Sequence, residues 1–514
     1  MYGRQIVSRK IHDTMLHAVL NAPLRFFDTT PIGRVLNRFS NDLIIVDQSL
    51  PDLLRSLWEY IIDIGLSITA VITLLPSMLA VSLVVVGLMT IIAEMYIRAQ
   101  VSVRRIMSIA ASFMMTSFND GLSGSVIIRA FGNQPFFLRD NMQKVNQYIR
   151  AAKTNANLNR WLGHWLGVCQ TIMPLAAGFL ALASDLTPRF IGFCLTAMLS
   201  FGAILIELVR TFNNVEVDLN AVERINYYID NIDQEEEATD AFEPPASWPA
   251  TGRLEVCHLS VRYSPTGPKV LDDLSFDILP GERVGVVGVT GSGKSSLALS
   301  LLRLTNISGG SIYLDGRDIM RTNLHTLRRR VTFIPQDPAC LHGTVRSNLD
   351  PFDELEDADL NAALIASGIT DCDTDIGSSH ASITLDTRVS HGGGNLSQGQ
   401  RQLLAFARAL VRRSKLIILD EATSYTDAVT DAKIQETIGT SFQQCSILTI
   451  AHRLRTIVSF DRIMVLGNPE GKGGRVIEFD TPLALLERKH GALATFAVDS
   501  GEFEELVGLA KGME

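Results

Sequence analysis

The chain has 514 residues, a formal net charge of −9 and 46% hydrophobic residues, with a mean hydropathy of +0.19. That length allows two or more domains with sizeable cores, and the acidic balance argues against a nucleic-acid binder, which needs a basic face for phosphates. Six scattered cysteines, Cys169, Cys194, Cys257, Cys340, Cys372 and Cys445, form no CxxC pair, so neither zinc nor disulfides are expected.

The start, Met1-Tyr2-Gly3-Arg4-Gln5, leads into an amphipathic helix rather than a short apolar core, so no cleavable signal is expected. From Ile64 to Ala93 no residue is charged. One helix of that length would be roughly 45 Å long, too long for a ~30 Å hydrocarbon core without strong tilt. Because Leu75-Pro76-Ser77 sits mid-run, the reading is two spans, about 55–75 and 77–97, joined by a tight turn; the alternative is one kinked helix. A second pair follows at about 161–183 and 189–210, divided by Ser184-Asp185-Leu186-Thr187-Pro188. Charges such as Arg55, Glu59, Asp63 and Glu207 are costly in lipid and are expected near span ends or facing the bundle interior.

Between the two pairs the chain is basic, with Arg98, Arg104, Arg105, Arg129, Arg139, Lys144, Arg150, Lys153 and Arg160 against Asp120 and Asp140. The positive-inside rule places this segment and the N-terminus in the cytosol. Four spans then return the chain to the cytosol near residue 212. A linker at 231–252 combines the acidic run Asp233-Gln234-Glu235-Glu236-Glu237 with Pro244-Pro245-Ala246-Ser247-Trp248-Pro249. Beyond it, short β-rich runs alternate with helical ones from 253 to 490, which predicts an α/β domain with a largely parallel sheet, and 491–514 reads as a helical tail.

Gly288-Val289-Thr290-Gly291-Ser292-Gly293-Lys294-Ser295, followed by Ser296, fits a phosphate-binding loop between a strand and a helix. Glycines let successive backbone N–H groups wrap phosphates, and the helix N-terminus adds positive dipole. Lys294 is expected to reach the β- and γ-phosphates of ATP, and Ser295 a Mg²⁺ ion. Leu419-Asp420-Glu421 closes an apolar strand, placing Asp420 to hold Mg²⁺ through water and Glu421 to polarise an attacking water. Two further strands end in polar groups, Gln336 and His452, which are candidates to contact Mg²⁺, water or the γ-phosphate. Tyr263 is a candidate platform for adenine. Leu396-Ser397-Gln398-Gly399-Gln400 opens a helix and offers a hydroxyl and backbone N–H groups at its positive end. It cannot easily fold back onto its own phosphate loop and suits the γ-phosphate held by a second domain.

Residues 253–490 thus resemble the nucleotide-binding domain of an ATP-binding cassette (ABC) transporter. All its motifs occur in family order: Tyr263, Gly288 to Ser295, Gln336, Leu396 to Gln400, Leu416 to Glu421 and His452, with Asp427 matching the aspartate that follows the catalytic strand. Finer runs, such as Gly343-Thr344-Val345-Arg346-Ser347-Asn348-Leu349-Asp350-Pro351-Phe352, are similar to the second cassette of the C-subfamily, the multidrug-resistance-associated type. Phe26-Phe27-Asp28-Thr29-Thr30-Pro31-Ile32-Gly33-Arg34-Val35-Leu36-Asn37-Arg38-Phe39-Ser40 resembles that subfamily's first cytosolic coupling segment, and Ile128-Arg129-Ala130-Phe131-Gly132 the second. Ser424 and the Gly392 to Asn395 lead-in are reminiscent of fungal multidrug exporters. Gln398, Tyr425-Thr426 and Cys340-Leu341-His342 depart from the common pattern without removing a catalytic residue.

The resemblance implies a multidomain chain: an all-α polytopic membrane domain of ABC exporter type over 1–230, then an α/β phosphate-loop ATPase with a helical subdomain. It also implies that the first two helices of this half, the other membrane domain and its cassette are absent from the chain. The expected function is the ATP-hydrolysing half of an exporter of amphipathic organic compounds, drugs or conjugates, in the vacuolar or plasma membrane. Its expected partners are the bilayer, a second cassette and a small-molecule substrate. The alternative is an ATP-binding chain that does not transport without a further half. A DNA-repair ATPase shares the Leu-Ser-x-Gly-Gln signature but carries coiled coils instead of apolar spans.

Overall fold

The computed structural model describes residues 2–184, 187–235, 242–264, 267–369, 383–422, 428–451, 453–469, 471–488 and 490–512. The chain divides into two compact units, Met1–Asn21 with Thr30–Ile232, and Ala22–Thr29 with Asp233–Glu514.

The first unit is helical. It contains α1 (Tyr2–Leu20), α3 (Ile32–Asn37), α4 (Leu50–Leu74), α5 (Met78–Ser123), α6 (Ser125–Ala130), α7 (Gln134–Leu182) and α8 (Pro188–Asp230). The short α2 (Leu24–Thr29) belongs to the second unit. Between α3 and α4 the backbone stays helical but widens twice into π turns, Arg38–Asp42 and Ile45–Ser49. Among the described residues, four continuous helical stretches are long and apolar enough to cross a membrane: Ile32–Leu74, Met78–Ser123, Gln134–Leu182 and Pro188–Asp230. Each runs well past the apolar stretch legible in sequence, because helix formation needs only satisfied backbone bonds, not apolar side chains. Leu75-Pro76-Ser77 separates α4 from α5, whereas Pro174 is accommodated inside α7.

The bundle core is built from Val85, Met89, Leu162, Leu166, Met173, Met198 and Phe201 among others. Many other apolar side chains point outward, such as Val84 at 72% and Phe179 at 68% exposure. An apolar surface of this kind suits contact with lipid rather than water. Among the charges in these helices, Arg55 pairs with Glu59 and Arg210 with Glu207, each at 2.8 Å along its own helix. These side chains are exposed and lie near the ends of the apolar stretches, and a neighbour on the same helix offsets each charge.

The second unit carries the strands. In chain order they and their helices are β1 (Leu254–Arg262), β2 (Lys269–Ile278), β3 (Arg283–Gly288), α9 (Lys294–Leu301), β4 (Asn306–Leu314), β5 (Arg317–Asp318), α10 (Leu324–Arg330) and β6 (Val331–Ile334). There follow β7 (Gly343–Thr344), α11 (Val345–Leu349), α12 (Asp357–Ala366), β8 (Arg388–Val389), α13 (Gln398–Arg412), β9 (Leu416–Asp420), α14 (Ala428–Ser441) and β10 (Ser446–Ile450). The last are β11 (Arg462–Gly467), β12 (Arg475–Asp480), α15 (Pro482–Leu486), α16 (Ala492–Asp499) and α17 (Phe503–Ala510).

A six-stranded sheet has the order β12-β11-β3-β10-β9-β6, parallel except for β12. A separate antiparallel sheet has the order β2-β1-β4-β5. Alternate residues of the parallel strands enter different cores, as a period of two requires. Val284, Val286, Ile418, Leu448 and Ile450 face the antiparallel sheet and α9. Ile417, Leu419 and Ile447 face the helical layer of α11 to α14. Val287, Ile463 and Val465 face the C-terminal helices. The sequence's near-continuous apolar runs in these strands are the price of burial on both faces.

Candidate functional site

Because β3, β10, β9 and β6 are parallel neighbours, their carboxyl ends lie along one edge. In open α/β sheets that edge is where ligands bind. Here it carries the loop after β3, then Ala451 after β10, Asp420 and Glu421 at the end of β9, and Gln336 just beyond β6.

The loop from Val289 to Gly293 turns the chain from β3 into α9. Gly293 sits at the start of α9 with φ +89°, in the left-handed region. A Cβ there would stand 2.4 Å from Leu271 Cδ2. At Gly288 a Cβ would meet the Leu466 carbonyl oxygen at 2.2 Å. Only glycine therefore fits at either place. We expect Gly293→Ala to destabilise the domain by about 1–2 kcal/mol from backbone strain alone and to weaken nucleotide binding. A melting temperature and nucleotide affinity equal to wild type would contradict this.

Lys294 is buried, and its Nζ donates to the carbonyls of Gly288 (2.8 Å) and Val289 (3.3 Å). Burial holds its ammonium below the ordinary lysine value, and the carboxylates of Glu421 and then Asp420 offset only part of that. Ser295 is exposed, and its hydroxyl donates to Asp420 Oδ1 at 3.3 Å. Ser292 is fully buried, and its Oγ has no hydrogen-bond partner among the described residues. Val289, Thr290 and Gly291 are exposed on the loop. Tyr263, 38% exposed, follows β1, and its hydroxyl lies 2.8 Å from Ser296 Oγ in α9.

Glu421 has φ +50°, unusual for a residue with a side chain, and its N–H donates to Ile450 O at 2.9 Å. Strain of this kind clusters at functional positions. Gln336 Nε2 donates to Glu421 Oε2 at 2.8 Å, joining the end of β6 to the end of β9. Lys294, Ser295, Asp420, Glu421 and Gln336 are thus brought into one linked group. His452 and Asp427, along with Ser424 and Tyr425-Thr426, lie outside the described residues.

Ser397 caps α13. Its Oγ accepts from Gln400 N at 3.1 Å, and Gln400 Oε1 accepts from Ser397 N at 2.9 Å. This reciprocal box leaves Ser397 exposed, with Leu396, Gln398, Gly399 and Gln400 half-buried. Two residues of α13 that the motifs did not single out hold the segment after β6. Gln402, fully buried, donates to Gln336 O at 3.4 Å. Arg408 donates to Ala339 O at 2.7 Å and to Asn348 O at 2.8 Å. The available signal was a polar residue recurring on the apolar face of a helix.

Among the described residues, no three His, Cys, Asp or Glu side chains cluster as a metal site. The Ser295 hydroxyl beside the Asp420 carboxylate is instead an oxygen donor set, suited to a hard cation that a phosphate also holds.

Residues 2–205 match the model of the ABC transporter transmembrane region, and residues 271–424 the ABC transporter model. The chain belongs to the ABC transporter family. It is 40% identical over 503 residues to the ATP-binding cassette transporter abc4 of Schizosaccharomyces pombe, covering 97% of this chain and 34% of that protein. It is 38% identical over 520 residues to the pleiotropic ABC efflux transporter of multiple drugs YBT1 of Candida glabrata, covering 98% and 31%. ATP-binding cassette sub-family C member 2 of Rattus norvegicus is 37% identical over 504 residues, covering 98% and 32%. The chain spans about a third of the length of the curated relatives it matches.

A solved structure of a bacterial Atm1-family ABC exporter with ATP bound superposes with a TM-score of 0.81, over 97% of this chain and 86% of that one. At 22% identity that likeness establishes the fold. A helical membrane domain followed by a nucleotide-binding domain makes this an integral, multi-pass membrane protein of the ABC transporter family, with an exporter-like fold and a cytosolic cassette. The ABC domain implies ATP binding.

Proposed function

We propose that this chain is the ATP-hydrolysing half of an exporter that moves amphipathic organic compounds, drugs or conjugates across the vacuolar or plasma membrane. The observation that carries the reading is the linked group at the sheet edge, Lys294 and Ser295 beside Asp420, Glu421 and Gln336. In this reading residues 1–230 form the membrane half, 231–252 the linker, 253–490 the cassette and 491–514 a helical tail. ATP lies with its adenine on Tyr263 and its phosphates in the loop from Gly288 to Ser296, where Lys294 meets the β- and γ-phosphates. Ser295, Asp420 and Gln336 are the residues that would hold Mg²⁺. That ion neutralises phosphate charge during transfer. Glu421 orients the attacking water, and His452 contacts the γ-phosphate.

Leu396, Ser397, Gln398, Gly399 and Gln400 present their helix end to ATP held by a second cassette, the partner this reading requires. ATP binding favours the closed pair, hydrolysis reopens it, and the difference in ATP affinity between the two states drives the spans between inward- and outward-facing forms. The relative named for efflux of multiple drugs supports this substrate class.

Inside-out membrane vesicles carrying the protein test the proposal. Uptake of a fluorescent amphipathic organic anion is expected to need hydrolysable ATP and to stop with a non-hydrolysable analogue. ATP binding with no uptake would favour the alternative, a cassette chain that does not transport without a further half.

A further inference from the structure

The two π turns between α3 and α4 carry an ion cluster that none of the nucleotide chemistry uses. Asp42, at the end of the first turn, is 2% exposed. Arg38 Nη1 donates to its Oδ2 at 2.7 Å, one turn back on the same segment. From α8, 182 positions away in sequence, Arg224 grips the carboxylate with two nitrogens: Nε donates to Oδ2 at 3.1 Å and Nη2 to Oδ1. The Arg38 guanidinium also lies over the Tyr228 ring of α8, 5.7 Å from its centre. In the second π turn, Ser49 donates to Asp218, again on α8. The second turn is tied to α1 as well, since Arg4 donates to the Asp47 carbonyl.

A buried ion cluster is a poor source of stability, because desolvation offsets most of the Coulomb attraction; its best-attested use is to fix one register. A forked arginine–carboxylate pair adds direction to that register. π turns cost backbone energy and recur at functional positions. Here both turns present their polar residues to the same helix. The connectivity gives that register a purpose. The segment beginning at Ile32 leaves α2, in the first coupling segment, after only two residues, and α8 is the helix through which the chain passes on into 231–252 and the cassette. The cluster also lies away from the apolar stretches. Asp42 is 13 positions before the start of the first, at 55, and Arg224 is 14 positions after the end of the last, at 210. Both offsets are roughly 20 Å of helix.

We infer that Asp42 is a positioning residue: with Arg38 and Arg224 it latches the arm that leaves the first coupling segment to α8, so that the two arms move as one in the transport cycle. The inference rests on the transport reading above. Its chemistry is local to the membrane unit and leaves the ATP site untouched.

Full-length protein in membrane vesicles tests it with Asp42→Asn, Arg224→Gln and the double variant Asp42→Asn with Arg224→Gln. Each single variant is expected to keep its ATP hydrolysis within about twofold while the compound moved per ATP falls about tenfold, and the double variant to fall no further, because both changes remove the same pair. An unchanged ratio in the single variants overturns the inference. So does a double variant in which the two losses multiply, which is what two independent structural roles give. Hydrogen exchange supplies an arm that needs no transport. ATP is expected to change protection of residues 38–49 and 213–228 together in wild type and separately in Asp42→Asn; a concerted change in the variant also overturns the latch. Wild-type vesicles that hydrolyse ATP but move no compound would instead count against the proposed function, and the hydrogen-exchange arm still judges the latch.

Discussion

Glu421→Gln is expected to leave ATP bound and to slow its hydrolysis by about 10²–10⁴-fold, the share that a positioned general base contributes. The change is nearly isosteric, and the local frame does not depend on the charge. The Glu421 backbone is fixed by its N–H bond to Ile450 O at 2.9 Å. Its side chain accepts from Gln336 at 2.8 Å, a bond that a carboxamide oxygen can also accept. What the variant loses is the negative charge that orients and deprotonates water. Nucleotide affinity by titration with a fluorescent ATP analogue, beside phosphate release, separates the two effects. Wild-type hydrolysis in the variant would remove Glu421 from the catalytic role.

Lys294→Met is expected to do the reverse and act on binding first. Its length and apolar stem are kept, so the buried position beside Gly288 and Val289 is still filled. The ammonium is gone, and with it a charged hydrogen bond to phosphate worth about 1.5–3 kcal/mol, a ten- to hundredfold weaker ATP affinity. The variant also leaves the carboxylates of Asp420 and Glu421 without the nearby cation they favour, which adds repulsion toward phosphate. An unaltered dissociation constant for ATP would exclude Lys294 as a phosphate ligand. Together the two variants separate binding from chemistry at one edge of one sheet.

Much of this was legible in the sequence, for identifiable reasons. The phosphate loop is a local object, so the residues from Gly288 to Ser295 specify their turn by themselves, as the positive φ of Gly293 illustrates. The membrane spans were legible as composition, although the helices outrun them: α8 continues to Asp230, because its polar continuation satisfies the same backbone bonds. What sequence spacing could not supply was partnership at long range. That Gln336 would meet Glu421, 85 positions on, follows only once β6 and β9 are known to be neighbours. The strand order places β9 between β10 and β6, and no local signal states it. Asp42 and Arg224 read as scattered charges in a basic helical region, and only the packing of α8 against the π turns makes them a pair. Gln402 and Arg408 were hidden for a related reason. They lie on a helix whose buried face is otherwise Leu403, Leu404, Phe406 and Ala407, so hydrophobic pattern alone assigns the face and not its polar exceptions.

The grip of α13 on the segment after β6 has a consequence for a paired machine. At its first turn the helix exposes Ser397, and one turn further in it holds the Gln336 carbonyl through Gln402 and, beyond that, Ala339 through Arg408. In the proposed two-cassette arrangement Ser397 serves the partner's nucleotide, whereas Gln336 serves this chain's own. The first two turns of one helix therefore touch both. In that arrangement a phosphate lost beside Ser397 or beside Gln336 would shift the same helix end, so hydrolysis of one nucleotide would be felt at the other through this chain's interior.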